Sequence, residues 1–505
     1  MNNADNHIIT YEEVKEMRKS GNAEGAYSLC LEVKTNSPQT QWVSTMMGWC
    51  LYDMLKGMAD YDHAESFLQK LQEFADLSLA SDNFAVKNIC WPIRSFVVSL
   101  ISKGESCFGL LSRLSAIVMK IQFDTQDENY SIILSAFLKA KTWPNLKALI
   151  EWWGLENLSA KDHQPYVTNG GMKVMAVAEQ AYIAYAKMLL SEIKNNSFDK
   201  DQVDKCIDGL QALVKNHEEM QYPPYFLARL LMELGRNDEA QQALLPFVVK
   251  KKNDYWVWDC LGDVVSDADM KLSCYCKALT CRVKDSFLCK LHLKMCDFLK
   301  GRGLFDEAKT EIHVAAGIYK TNGWRLPANY MDYFDEPWYR NAQQSENNTQ
   351  FYKEYTDEAE LLVYSNKPQE VILVTNINKE KQMASYVTVE RMPGFFSYKK
   401  LPKRMMPKLH GIYDCRMDVE DDGYAQVYIC NKVADEMPYK DKLFKQATGT
   451  LRLIASGAGF VGDIFVPSSL INGMSAGQKV ECVAYLNYNK SKQQWGWAAE
   501  SIKAI

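Results

Sequence analysis

The sequence predicts a chain that is α first and β afterwards: an array of paired helices followed by two small five-stranded barrels. Three observations predict it. Over residues 1–324 apolar residues recur at three- and four-residue spacing, as on one face of successive helices. Between Tyr222 and Trp324 that pattern repeats with a period of 34 residues. From Val371 the period falls to two, and β-branched and aromatic residues take over.

At 505 residues the chain is too long for one ordinary core. The expected domains are a helical-repeat solenoid over 1–324, an aromatic and polar connector over 325–355, a first barrel over 356–435 and a second over 445–505. The apolar runs, such as "FVVSLI" (Phe96 to Ile101), are far shorter than a bilayer span, and "MNNADNHIITYEEVKEM" lacks the features of a signal peptide. The expectation is a cytoplasmic protein whose 14 cysteines are reduced thiols.

Within the repeat, Ala228, Gly262 and Cys296 share one phase, with Leu227, Leu261 and Met295 one residue earlier and Ala240, Cys274 and Ala308 twelve later. Small residues are needed where paired helices cross closely, and larger apolar ones fill the groove beside them. "WDCLG" (Trp258 to Gly262) matches the Trp-x-x-Leu-Gly opening of a tetratricopeptide repeat. "GRNDEAQQALLPF" and "GLFDEAKTEIHVA" match its turn and second helix, and "GNAEGAYSLCLEVKTNSP" (Gly21 to Pro38) resembles another second helix. The best repeats are those of 222–324. The resemblance implies a scaffold that binds protein partners. No basic clamp recurs at the inner-helix positions, so no groove residue is named.

After the repeats, "RLPANYMDYFDEPWYR" (Arg325 to Arg340) suits a segment packed on the last helices, and "NAQQSENNTQ" (Asn341 to Gln350) reads as flexible. "FYKEYTDEAELLVYS" reads as one helix capped by Thr356.

Ten strands are expected: 371–377, 384–390, 395–399, 412–419 and 424–433, then 448–455, 459–461, 463–467, 479–489 and 495–502. Five strands in some 60 to 70 residues is the size of an oligonucleotide/oligosaccharide-binding (OB) barrel. The last five resemble its S1 and cold-shock branch through "GTLRLI" (Gly449 to Ile454), "SGAGFV" (Ser456 to Val461), "DIFVPSSLI" (Asp463 to Ile471) and "AGQKVECVAY" (Ala476 to Tyr485). The resemblance implies bases stacked on exposed aromatics with basic groups at the phosphates. Departures are many: Leu453 and Ile454 replace the family's Trp and Phe, Ala458 its first motif Phe, and Pro467 its His. Phe460 and Phe465 remain.

The candidate nucleic-acid residues are therefore Phe460, Phe465 and Arg452, with Tyr485, Trp495, Lys490 and Lys492 of the last hairpin as a replacement platform. Trp497 and Ala499 are expected either to share that platform's strand face or to close the core. In the first barrel, Phe396 and Tyr398 adjoin the basic loop Lys399, Lys400, Lys403 and Arg404. Charge agrees locally. Residues 371–411 hold eight basic side chains against two acidic ones, although the whole chain has a net charge of −5 and "DVEDDG" follows.

Catalytic motifs are missing. The seven histidines include no His-Glu-x-x-His pair, and neither a phosphate-binding loop nor a Gly-x-Ser-x-Gly elbow occurs. "TNGG" (Thr168 to Gly171) reads as a turn, and the cysteines of residues 260–296 read as packing thiols without Cys-x-x-Cys knuckles. A non-enzymatic protein with no cofactor and no metal is expected. Helical repeats joined to such a terminal barrel are similar to accessory proteins of bacterial conflict (TOTE-type) systems, and the expected function is a scaffold whose tandem barrels contact RNA or single-stranded DNA or dock on a nucleic-acid-processing machine. The alternative is an adaptor whose barrels bind only protein.

Overall fold

The computed structural model describes residues 8–167 and 170–505. The chain divides into two units, 1–250 and 251–505. Among its described residues the first unit is helical apart from one hairpin, β1 (Tyr166–Val167) with β2 (Lys173–Val174), where the sequence suggested a plain loop. Thr168 and Asn169 of the expected turn lie outside the described residues.

Helices pair as the spacing requires. In the first unit Tyr11–Lys19 packs on Ala23–Asn36, which begins where the Asn22 side chain accepts the Gly25 N–H at 2.9 Å. Pro223–Glu233 pairs with Asn237–Lys250, burying Leu227, Ala228 and Ala240. Pro223 and Pro224 open that helix in its first turn, where a missing N–H costs nothing. The turn is held by the buried Glu179 carboxylate, which accepts the N–H groups of Gln221 and Tyr222 at 3.0 Å each.

In the second unit Tyr255–Val264 pairs with Ala268–Leu279, and Asp285–Gly301 with Phe305–Thr321. Trp258, Leu261, Cys274, Cys296 and Ala308 are all buried in these pairs. Gly262 shows why its phase stays small: a Cβ there would stand 2.4 Å from the Tyr275 ring, whose hydroxyl donates to Asp263 at 2.8 Å. Burial pushes the Cys274 and Cys296 thiols up to about 12, the state of unreactive packing groups.

The aromatic connector packs on the last pair, with the Tyr330 and Tyr333 hydroxyls both donating to Asp297 at 2.6 and 2.8 Å. The polar stretch after it is tied down where flexibility was expected. The Gln343 and Ser345 N–H groups donate to Asp306 and Thr310, and Asn348 is buried, its amide 2.6 Å from Glu311 Oε1. Glu311 is fully buried and satisfied by Asn348, the Tyr352 hydroxyl and His292 Nδ1 at 2.7 Å. The following helix is two helices, Thr349–Tyr355 and Asp357–Val363, and Thr356 makes no capping hydrogen bond from its side chain.

Two closed barrels follow. The first comprises β3 (Gln369–Asn378), β4 (Met383–Thr388), β5 (Pro393–Ser397), β6 (Ile412–Val419) and β7 (Tyr424–Lys432). The second comprises β8 (Phe444–Leu453), β9 (Gly459–Val461), β10 (Ile464–Val466), β11 (Lys479–Asn489) and β12 (Gln494–Ala504). Numbering each barrel's strands one to five, both close in the order 1-2-3-5-4, with strands three and five parallel. That is the five-stranded Greek-key closure of an OB fold.

Candidate nucleic-acid interface

Alternation along a strand decides which side chains face water. In the second barrel Leu451, Val461, Ile464, Val466, Val480, Cys482, Ala484 and Ala499 point inward and form the core. Arg452, Phe460 and Phe465 take the opposite parity. The two-residue turn Gly462–Asp463, with Gly462 at φ +61°, fixes the β9–β10 register so that Phe460 pairs with Phe465 and Val461 with Ile464. On the other side Phe460 pairs with Arg452 of β8. Gly459 permits that pairing, because a Cβ would sit 2.8 Å from the Arg452 carbonyl oxygen.

A row of three side chains therefore crosses strands one to three on the outer face. The Phe460 and Phe465 ring centroids are 5.7 Å apart at 68°, edge to face, and the Arg452 guanidinium lies 5.6 Å from the Phe460 centroid. Phe465 is 38% exposed. Leu453 and Ile454, at the end of β8, are 37% and 39% exposed. The positions of the family's missing rings thus still face water, although they carry aliphatic groups. The sequence named both only as replacements for those rings; by alternation Ile454 shares the parity of Arg452, and Leu453 has that of Leu451 at the open end of the strand. Ala458 is buried and adds nothing to the face. Lys445 is spent on Asp463, at 2.7 Å, and its ammonium lies 4.8 Å from the Trp497 centroid.

The replacement platform of the last hairpin is occupied by the first barrel. Leu373, Val387 and Ile412 are cross-strand neighbours on the outside of that barrel. They are buried together with Leu486 and Leu443, and Tyr485, Tyr488, Trp495 and Trp497 pack around them. Tyr485 lies against His410, ring centroids 4.3 Å apart, and His410 Nδ1 is 3.3 Å from Glu500. Lys490 lies over Phe395 of the first barrel at 4.7 Å. Tyr485, Trp495 and Lys490 thus belong to a joint between barrels. Lys492, exposed in the β11–β12 turn, does not.

Three first-barrel candidates, Phe396, Tyr398 and Arg404, also leave the interface. Phe396 is fully buried, and Tyr398 is nearly so, its hydroxyl donating to the Asn378 carbonyl at 3.3 Å. Arg404 is committed to Asp357 and Glu360, the latter at 2.5 Å, and Glu360 also pairs with Lys277. Lys399, Lys400 and Lys403 are exposed and form no ion pair among the described residues. No three His, Cys, Asp or Glu side chains among the described residues are grouped to hold a metal ion.

Comparison with known proteins agrees with the geometry of the last barrel. Residues 445–502 match the family described as S1/CSD-like domain 2 of the TOTE conflict systems. The terminal barrel is S1/cold-shock-like. Residues 221–359 match a domain of unknown function, DUF7017, a span that runs from the last hairpin of the first unit through the aromatic connector. No curated protein matches the chain. Among solved structures, human IFIT1, solved as a dimer with m7Gppp-AAAA, aligns over 64% of this chain and 70% of its own at 13% identity, with a TM-score of 0.30.

Proposed function

We propose that the protein is a non-enzymatic cytoplasmic scaffold whose helical repeats bind protein partners and whose terminal barrel holds RNA or single-stranded DNA. The observation that carries the nucleic-acid half is the register-locked row Arg452–Phe460–Phe465 on the exposed β8–β9–β10 face. Two rings meet bases, and one guanidinium within reach of the same strand meets a phosphate. The match of residues 445–502 to an S1/CSD-like domain of conflict systems supports this reading and a role for the scaffold in such a system.

The row is short, so binding is modest and led by stacking. Each stacked base contributes about 1–3 kcal/mol, and one phosphate contact changes the slope of log K against log salt by about 0.7 on a single strand. The test is a titration of the full chain with a fluorescein-labelled single strand at several salt concentrations. Phe460→Ala and Phe465→Ala each weaken binding about fivefold or more. Arg452→Ala reduces the salt slope. A wild-type chain that does not bind at low salt contradicts the nucleic-acid reading and leaves a protein adaptor.

A further inference from the structure

The first unit also contains a two-part helix, Phe84–Ser102. Asn83 caps the helix Phe84–Asn88 by accepting the Ala85 N–H at 2.9 Å, and Cys90–Ser102 continues it. Ile89 between them keeps helical dihedrals, φ −60° and ψ −19°. Pro92 has no N–H to offer the Asn88 carbonyl, which accounts for the break in the hydrogen-bond ladder. The inner face is buried through Val86, Ile89, Ile93, Phe96, Val97 and Leu100.

On the outer face every seventh residue is apolar and exposed: Phe84 at 71%, Trp91 at 46% and Val98 at 38%. Single exposed apolar residues are ordinary on protein surfaces. Three at heptad spacing form a ridge about 21 Å long at the helical rise of about 1.5 Å per residue. A seven-residue repeat is the spacing that a second helix follows when it packs along the first.

Charge selects among occupants. Arg94 lies one turn after Trp91, and Lys139, just past the helix Tyr130–Phe137 that packs on this one, is close enough for Arg94 to add to the burial that holds its ammonium below the ordinary value. Neither cation has an ion pair among the described residues, whereas Lys87 of the same helix is paired with Asp124 and Asp127. A second copy packed antiparallel about Trp91 would set Arg94 against Asn88 and Lys87 against Ser95, with no acid on either side. The 19 residues Phe84–Ser102 meet the length and apolarity of a bilayer span, yet half are buried within the protein and Arg94 interrupts the exposed face.

We infer that the ridge Phe84–Trp91–Val98, flanked by Arg94 and Lys139, docks an amphipathic helix of a partner protein that carries acidic residues beside its apolar seam. The inference rests on the scaffold reading of the helical repeats and is independent of the nucleic-acid face. Fluorescein-labelled peptides of about three heptads, with Leu at positions a and d and either Glu or Lys at e and g, are titrated with the full chain at concentrations where the peptides are monomeric. The Glu peptide binds at least about tenfold tighter than the Lys peptide, Trp91→Ser removes at least about tenfold of that affinity, and Arg94→Glu with Lys139→Glu reverses the preference. Thermal melts confirm that the variants are folded, and their single-strand affinity stays at the wild-type value.

Equal binding of both peptides, or binding unaffected by Trp91→Ser, overturns the inference. So does a Trp91-dependent attachment to phosphatidylcholine/phosphatidylserine vesicles or a Trp91-dependent dimer in sedimentation, which assign the ridge to a membrane or to a second copy. A loss of single-strand binding with peptide binding intact would sink the nucleic-acid reading alone.

Discussion

Phe396 and Phe465 occupy comparable third strands of the two barrels, and one step of strand parity separates their roles. Phe396 is fully buried against Tyr386, ring centroids 6.0 Å apart, whereas Phe465 projects from the outer face. Phe396→Ala removes a core ring and costs about 3–5 kcal/mol of stability. Phe465→Ala costs less than about 1 kcal/mol, so chemical denaturation of the two variants separates a packing ring from a binding ring. The parity of Phe465 was legible in the sequence because it alternates with Ile464 and Val466, and the turn Gly462–Asp463 sets Phe460 beside it. That of Phe396 was not, since adjacent Phe395 and Phe396 give local alternation no way to rank them.

The strands themselves were legible. β6, β9 and β11 run as the alternation predicts, and most of the others shift by a few residues at their ends, where alternation fades. What the sequence could not show is which outer faces meet. Tyr485, Trp495 and Lys490 have the composition of a base-stacking platform, and only the packing of one barrel on the other assigns them to the joint. His410 makes that joint sensitive to pH. Burial lowers its pKa from the ordinary 6.5, and the nearby Glu500 only partly opposes this. As pH falls below 6.5 the unfolded chain takes up the proton before the folded one, so stability declines until folded His410 is protonated as well. His410→Asn flattens the dependence of melting temperature on pH across that window, relative to a wild-type chain in which His313, also lowered by burial, still titrates. An unchanged slope would remove His410 from the account.

Across the second unit the first barrel acts as a joint between the helical repeats and the terminal barrel. Arg404 ties it to the helix Asp357–Val363, which Lys277 ties in turn to the helical repeats. The Tyr364 and Tyr428 rings stack 4.9 Å apart, and Lys367 pairs with Asp418 at 2.6 Å. On its far side Leu373, Val387 and Ile412 receive the terminal barrel. These commitments, together with the burial of Phe396 and Tyr398 within the first barrel, consume most aromatic and some basic side chains that sequence reading offered to nucleic acid, and they leave the row Arg452–Phe460–Phe465 outside the joint. The measurement that tests this most directly is photo-cross-linking of a 4-thiouridine-containing single strand to the full chain, with the attachment sites mapped by mass spectrometry. Adducts are expected at Phe460 and Phe465 and none at Tyr485 or Trp495. Adducts confined to the last hairpin or to the loop Lys399–Lys403, with the β9–β10 peptide unmodified, would contradict that expectation.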